Sequence, residues 1–295
     1  MKILLTGSNG QVGFELQRSL APVGELIAVD RAGCDLADEA ALRHLIRSLR
    51  PDVIVNAAAY TAVDRAEADA ATAIAVNARA PGVMGDEAAR LGACVVHFST
   101  DYVFDGTKPS PYTESDATNP QSVYGRSKRD GELALQRSCG SHLILRASWV
   151  VGAHGNNFAK TILRLAMERD TLGVVADQFG VPTPASVLAD VTGELLSRSA
   201  GEGRAAFPFG LYHLVPAGET SWHQYACFVL EQAQAAGHAL KVTADRIRPL
   251  ATAEYPTAAR RPLNSRLDTS RIRAAFGLQL PDWQAAIRTV LQGIL

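Results

Sequence analysis

The stretch that decides the fold is Lys2-Ile3-Leu4-Leu5-Thr6-Gly7-Ser8-Asn9-Gly10-Gln11-Val12-Gly13, continued by Leu16 and Leu20. Three consecutive apolar residues have strand character, the glycines punctuate a turn, and Val12, Leu16 and Leu20 recur at helical spacing. The pattern repeats downstream. Leu26-Ile27-Ala28-Val29 ends at Asp30, a helix marked by Leu42, Leu45, Ile46 and Leu49 stops before Pro51, and Val53-Ile54-Val55 follows. A long alanine-rich helix reaching Leu91 precedes Cys94-Val95-Val96-His97-Phe98, and a helix over Tyr124 to Gln136 precedes Leu143-Ile144-Leu145. Continuous apolar runs separated by helices predict a parallel sheet covered on both faces, so the fold class is α/β and doubly wound.

Regularity fades after Trp149. Helices remain legible over Phe158–Glu168, 187–196, 222–236 and 283–291, and prolines break the rest into connections. Residues 1–150 are therefore expected to form a Rossmann-like unit and 151–295 mainly a smaller, irregular α/β substrate-binding lobe. Strand candidates near Val174 and Leu211 could rejoin the main sheet.

Composition narrows the function classes. A chain of 295 residues is one large domain or two small ones. A formal charge of −1 leaves no global basic field for nucleic acid. The opening apolar run is too short for a secretory core, and no 18 apolar residues run together to span a membrane. The four cysteines include no Cys-x-x-Cys pair, so neither zinc spacing nor a disulfide framework is expected. These features predict a reduced, cytoplasmic protein whose partner is a small molecule.

Gly7, Gly10 and Gly13 fall between the first strand and first helix. There they serve a tight turn, close approach of a pyrophosphate, and helix–strand packing. The helix start adds free N–H groups and a positive dipole end, with Gln11 and Val12 in its first turn. Asp30, ending the second strand, is placed to bond an adenosine ribose hydroxyl. It should repel a ribose phosphate and favour NAD, whereas adjacent Arg31 should attract one and favour NADP; the preference stays open. Asp35-Leu36 and Ala57-Ala58-Ala59-Tyr60-Thr61 follow later strands, where they suit the adenine and the middle of a dinucleotide.

Tyr124 and Lys128 stand four apart and share a helix face. A free phenol has a pKa near ~10, and a neighbouring ammonium would bring it toward the working range. Such a pair can supply or remove a proton while a hydride moves. Thr100, at the carboxyl end of a strand, can donate to a developing oxyanion. The connection from Thr100 to Ser122 is long enough to close over a substrate.

Together, Gly7/Gly10/Gly13, Asn56-Ala57-Ala58-Ala59, Ser99-Thr100 and Tyr124/Lys128 resemble the extended short-chain dehydrogenase/reductase superfamily. Val53–Ala59, the run Ser99-Thr100-Asp101-Tyr102-Val103-Phe104-Asp105-Gly106, Asn156-Asn157-Phe158-Ala159-Lys160 and Arg261-Pro262-Leu263-Asn264-Ser265-Arg266-Leu267 resemble, within it, the dTDP-4-dehydrorhamnose reductase family. The resemblance runs nearly end to end. It implies reduction of a nucleotide-linked 4-keto-6-deoxy sugar by NADPH or NADH, with Thr100, Asp101 and Trp149 lining the sugar site and Lys128 holding the nicotinamide ribose. Under that resemblance, which implies a nucleotide-sugar, Arg260 and Arg261 and the run Asp177-Gln178-Phe179-Gly180-Val181-Pro182-Thr183 are candidates for its contacts, since a planar guanidinium suits a diphosphate. Some such proteins use magnesium at a subunit contact. Here Glu15 is matched by Ser186 where a second acid would stand, a poor magnesium site, so any homodimer is expected to be weak or metal-independent. Two other readings remain. A dehydratase or epimerase on this scaffold is disfavoured because Asp101 is followed by Tyr102 rather than a second carboxylate. A non-catalytic regulatory subunit is disfavoured by retention of Thr100, Tyr124 and Lys128.

Overall fold

In the computed structural model, which describes residues 1–202 and 206–295, the opening apolar run forms β1 (Lys2–Thr6) and the glycine turn leads into α1 (Gln11–Leu20). There follow β2 (Glu25–Val29), α2 (Glu39–Leu49), β3 (Val53–Asn56), α3 (Ala80–Leu91), β4 (Cys94–Thr100), α4 (Val123–Ser138) and β5 (His142–Ala147). Next come α5 (Phe158–Glu168), α6 (Ala185–Glu202), β6 (Gly210–His213), α7 (Trp222–Ala235) and α8 (Trp283–Gln292). The six strands make one parallel sheet in the order β6-β5-β4-β3-β1-β2. The chain reverses direction between β1 and β3, which opens a crevice at the carboxyl ends of those strands.

Side-chain alternation explains why both faces are covered. Ile3, Leu5, Val53, Val55, Val96, Leu143 and Leu145 point to one face and pack with α1 and α6. Their neighbours Leu4, Ile54, Val95 and Ile144 point to the other face and pack with α2, α3 and Leu135 of α4. A separate cluster, including Val151, Ile162, Tyr225, Val229, Trp283 and Ile287, forms the core of the smaller lobe.

Two details depart from the sequence pattern. The alanine-rich helix is not continuous: Val63–Ala66 and Ala70–Ile74 are short, and a π turn over Ala75–Arg79 precedes α3. The cause is Asn77, whose amide accepts from Tyr60 N and donates to Tyr60 O and the Ser127 hydroxyl, bonds that reward one extra residue in the turn. Of the two later strand candidates, Gly210–His213 joins β5 at the sheet edge, whereas Leu172–Val175 pairs in parallel with Ile247–Leu250. The second half therefore serves both lobes, because α6 and β6 complete the main sheet and its cover. Among the described residues no helix is long and apolar enough to cross a membrane.

Candidate active site

The glycine loop is shaped by contacts that forbid side chains. Gly7 has φ +76°, and a Cβ there would stand 2.5 Å from Ala58 N. A Cβ on Gly13 would stand 2.0 Å from Gly7 O. Gly10 caps α1 and donates its N–H to Gly7 O at 3.0 Å. The first amides of α1 have no intrahelical acceptor, and Gln11 and Val12 border a cavity of about 540 Å³. A backbone that must lie this close to Ala58, beside a helix start, fits a pyrophosphate.

That cavity gathers Gly7, Gly10, Gln11, Val12, Asp30, Arg31, Asp35, Leu36, the run 57–61, Tyr124 and Lys128. Gly13 sits behind it, against the turn. Asp30 is also a turn anchor: Oδ1 accepts from Ala32 N and Gly33 N, both at 3.0 Å, and Oδ2 from Asn9 Nδ2 at 2.6 Å. Arg31 is engaged by Asp35, whose Oδ2 accepts at 3.0 Å and whose carboxyl lies below its ordinary range, chiefly through Ala37 N–H. The Asp30 carboxylate is thus fixed in place, while the Arg31 guanidinium is already paired.

The helix α4 starts at Ser122, whose hydroxyl accepts from Gly125 N, and this cap aims Tyr124 at the end of β4. The phenol is buried close enough to the Thr100 hydroxyl for that group to favour its ionised form. Thr100 Oγ1 also donates to Asp101 Oδ1 at 3.1 Å and accepts from Tyr102 N at 3.2 Å. Lys128, only 2% exposed, donates from Nζ to Phe98 O at 2.6 Å and lies 3.2 Å from His97 Nε2. Burial lowers it to about 8, against a smaller upward pull from Glu132. The expected tuning of the phenol by Lys128 is corrected here. Tyr124 is raised above its ordinary value by burial, opposed by the Thr100 hydroxyl and reinforced by Asp101 and Tyr102. The ammonium faces the β4 backbone and His97 instead.

A second cavity, about 430 Å³, lies across Tyr102 and is lined by Asp64, Phe158, Gln178, Trp222, Tyr255 and Arg261, among others. Arg261 pairs with Asp64 through Nη2, while among the described residues its buried Nη1 has no hydrogen-bond partner. Thr100 and Asp101 are buried at the carboxyl end of β4, just before Tyr102. Burial raises Asp101 to about 6, opposed by the Ser265 and Thr100 hydroxyls, and among the described residues its Oδ2 has no partner within hydrogen-bond geometry. Trp149 borders neither cavity directly. Held at φ +48°, it stacks at 3.8 Å on Trp222, which does. Asp177 spends its carboxylate on Thr252, so of the run after it only Gln178 faces the cavity. The connection from Thr100 is tied down, with Asn264 donating to Lys108 O and Ser110 O.

Magnesium does not fit the acids near Glu15. Arg18 stands 3.7 Å from Glu15 and 2.6 Å from Asp190, so a guanidinium already occupies the gap between them. Sequence reasoning overlooked His97, Asp64, Trp222 and Tyr255. Only His97 carried a signal, as a polar side chain inside an apolar strand that must find a buried partner.

The whole chain, residues 1–295, matches the family model described as RmlD substrate binding domain. The dTDP-4-dehydrorhamnose reductase of Salmonella typhimurium is 50% identical over 295 residues, covering 99% of this chain and 97% of that relative. The solved structure of a dTDP-4-dehydrorhamnose reductase from Clostridium acetobutylicum has a TM-score of 0.90 at 33% identity, covering 99% of each chain. That of one from Bacillus anthracis, in complex with NADP, has a TM-score of 0.89 at 32% identity, again covering 99% of each.

Proposed function

The chain belongs to the RmlD substrate-binding-domain family of dTDP-4-dehydrorhamnose reductases, and from that premise we propose how it works. It reduces the 4-keto group of dTDP-4-dehydro-L-rhamnose to dTDP-L-rhamnose, using NADPH or NADH. The observation that supports this reading is a cavity gathering the glycine loop, Asp30, Tyr124 and Lys128, with the Tyr124 ring 5.5 Å from that of Tyr102, which lines the second, arginine-bearing cavity.

When bound, the nicotinamide supplies the hydride. Tyr124 then delivers its proton to the oxygen that gains charge. A phenol held in its protonated form by burial suits this direction, because an alkoxide is the stronger base. Thr100 lies beside that phenol and can turn its hydroxyl toward the same oxygen. Lys128, on the wall of the first cavity, holds the nicotinamide ribose. Arg261, on the wall of the second cavity, binds the diphosphate through its guanidinium, and Asp101, adjacent to Tyr102 of that wall, accepts from a sugar hydroxyl.

The purified protein should consume one reduced coenzyme per dTDP-4-dehydro-L-rhamnose. Coenzyme binding without consumption would favour a regulatory role, and turnover without consumption an epimerase or dehydratase. Arg261→Met should raise KM for the nucleotide-sugar at least about tenfold with a smaller change in kcat, since a charge-assisted bond to the diphosphate is lost. Steady-state kinetics at saturating coenzyme checks this. Asp30→Asn keeps an acceptor for the turn and removes the charge beside the ribose. The Kd of NADPH relative to NADH should fall roughly fivefold to tenfold. An unchanged ratio would place Asp30 away from that ribose.

A further inference from the structure

A buried side-chain line runs behind the site from Thr6 through Asn56 and His97 to Lys128. All four residues are at most 2% exposed. Asn56 Oδ1 accepts from the Thr6 hydroxyl at 2.8 Å and from the Ala58 backbone N–H at 3.2 Å. A backbone N–H can only donate, so the amide of Asn56 is fixed with its oxygen on that side. Its Nδ2 therefore faces His97 Nδ1, 3.0 Å away, and donates to it. Nδ1 is then the ring's acceptor, which leaves the proton of the neutral imidazole on Nε2. That Nε2–H points at Lys128 Nζ, 3.2 Å away.

We propose that His97 is a positioning residue for the reduction: locked by Asn56 with its proton on Nε2, it faces Lys128 with a donor and so sets the pH at which that lysine holds its third proton. The inference rests on the proposed role of Lys128 in the reaction. Nζ already donates to Phe98 O. A third ammonium proton has to compete with the imidazole N–H for the space between the two nitrogens, whereas a neutral amine can receive that N–H on its lone pair. The other charged groups around Nζ act differently. Glu132, one turn along α4, favours the ammonium but is bound by both ends of its carboxylate to Arg146 on β5. Tyr124, on the same helix, is uncharged until the proton leaves. Burial keeps His97 neutral well below its ordinary pKa, helped by Lys128 itself. The ring is thus a fixed donor rather than a titrating base.

The tautomer can be read without turnover, from 15N-histidine spectra of the intact protein at neutral pH. His97, assigned by its loss in His97→Gln, should show a protonated Nε2 and a bare Nδ1. A protonated Nδ1 or a charged ring would overturn the proposal. The second measurement is the pH profile of kcat/KM. Asn56→Asp retains the acceptor for Thr6 and Ala58 but presents an oxygen to Nδ1, so the ring must move its proton there and offer Nε2 as an acceptor to the ammonium. The basic limb of the profile should rise by about one unit or more relative to the unaltered protein. The same substitution in a His97→Phe background controls for the added charge. A rise of equal size without the imidazole would overturn the proposal. Failure of the reductase reading would instead appear as no coenzyme consumption at any pH, with the tautomer unchanged.

Discussion

Tyr124→Phe is expected to lower kcat by about 10²–10⁴, the range for loss of a positioned general acid, while the Kd of the coenzyme stays within about twofold. The ring remains, so its edge-on contact with Tyr102 at 5.5 Å and the wall it forms on the first cavity persist. What disappears is one oxygen, the proton source nearest Thr100. Single-turnover reduction followed by nicotinamide absorbance separates this loss from binding. A variant with slow turnover but normal coenzyme affinity fits the assignment. A variant that loses affinity as well would place the phenol in binding rather than proton transfer.

The largest stability effect is expected from Arg146→Met. Arg146 on β5 and Glu132 on α4 form a two-pronged pair at 2.6 Å and 2.8 Å, with side chains 4% and 3% exposed. The guanidinium also lies over the Phe104 ring, 5.0 Å from its centroid. Removing one partner strands the carboxylate away from water and should cost about 3–5 kcal/mol, whereas replacing both by apolar side chains should restore much of the loss. Denaturant unfolding of Arg146→Met and of Arg146→Met with Glu132→Leu distinguishes the two. Equal destabilisation of single and double variants would mean that packing on Phe104, rather than the stranded charge, carries the effect.

The parts of the fold that were legible in the sequence are those written locally. Strands β1 to β5 each appear as a short apolar run, and the glycine turn announces itself between a strand and a helix. Residues expected to contact a coenzyme follow strand ends, and the switch in strand order collects those ends around one cavity. What could not be read depends on partners distant in the chain. The π turn exists because Asn77 reaches Tyr60 and Ser127. Leu172–Val175 reads as a strand, but nothing local tells it to pair with Ile247–Leu250 rather than with the main sheet. The resemblance implies Trp149 as a sugar-site residue, yet its contact with the second cavity passes through Trp222, over 70 residues away. Lys128 was legible by its spacing from Tyr124, but its Nζ is governed by His97 and the Phe98 carbonyl, which only the packing of α4 on β4 brings to it.

The most direct test follows one atom. Reduction of dTDP-4-dehydro-L-rhamnose in ordinary water, with coenzyme carrying deuterium at the transferable nicotinamide position, should place that deuterium on C4 of the sugar and a solvent-exchangeable proton on the adjacent oxygen. Product NMR that shows deuterium at C4 supports direct hydride transfer from the coenzyme. Protium at C4 would contradict it.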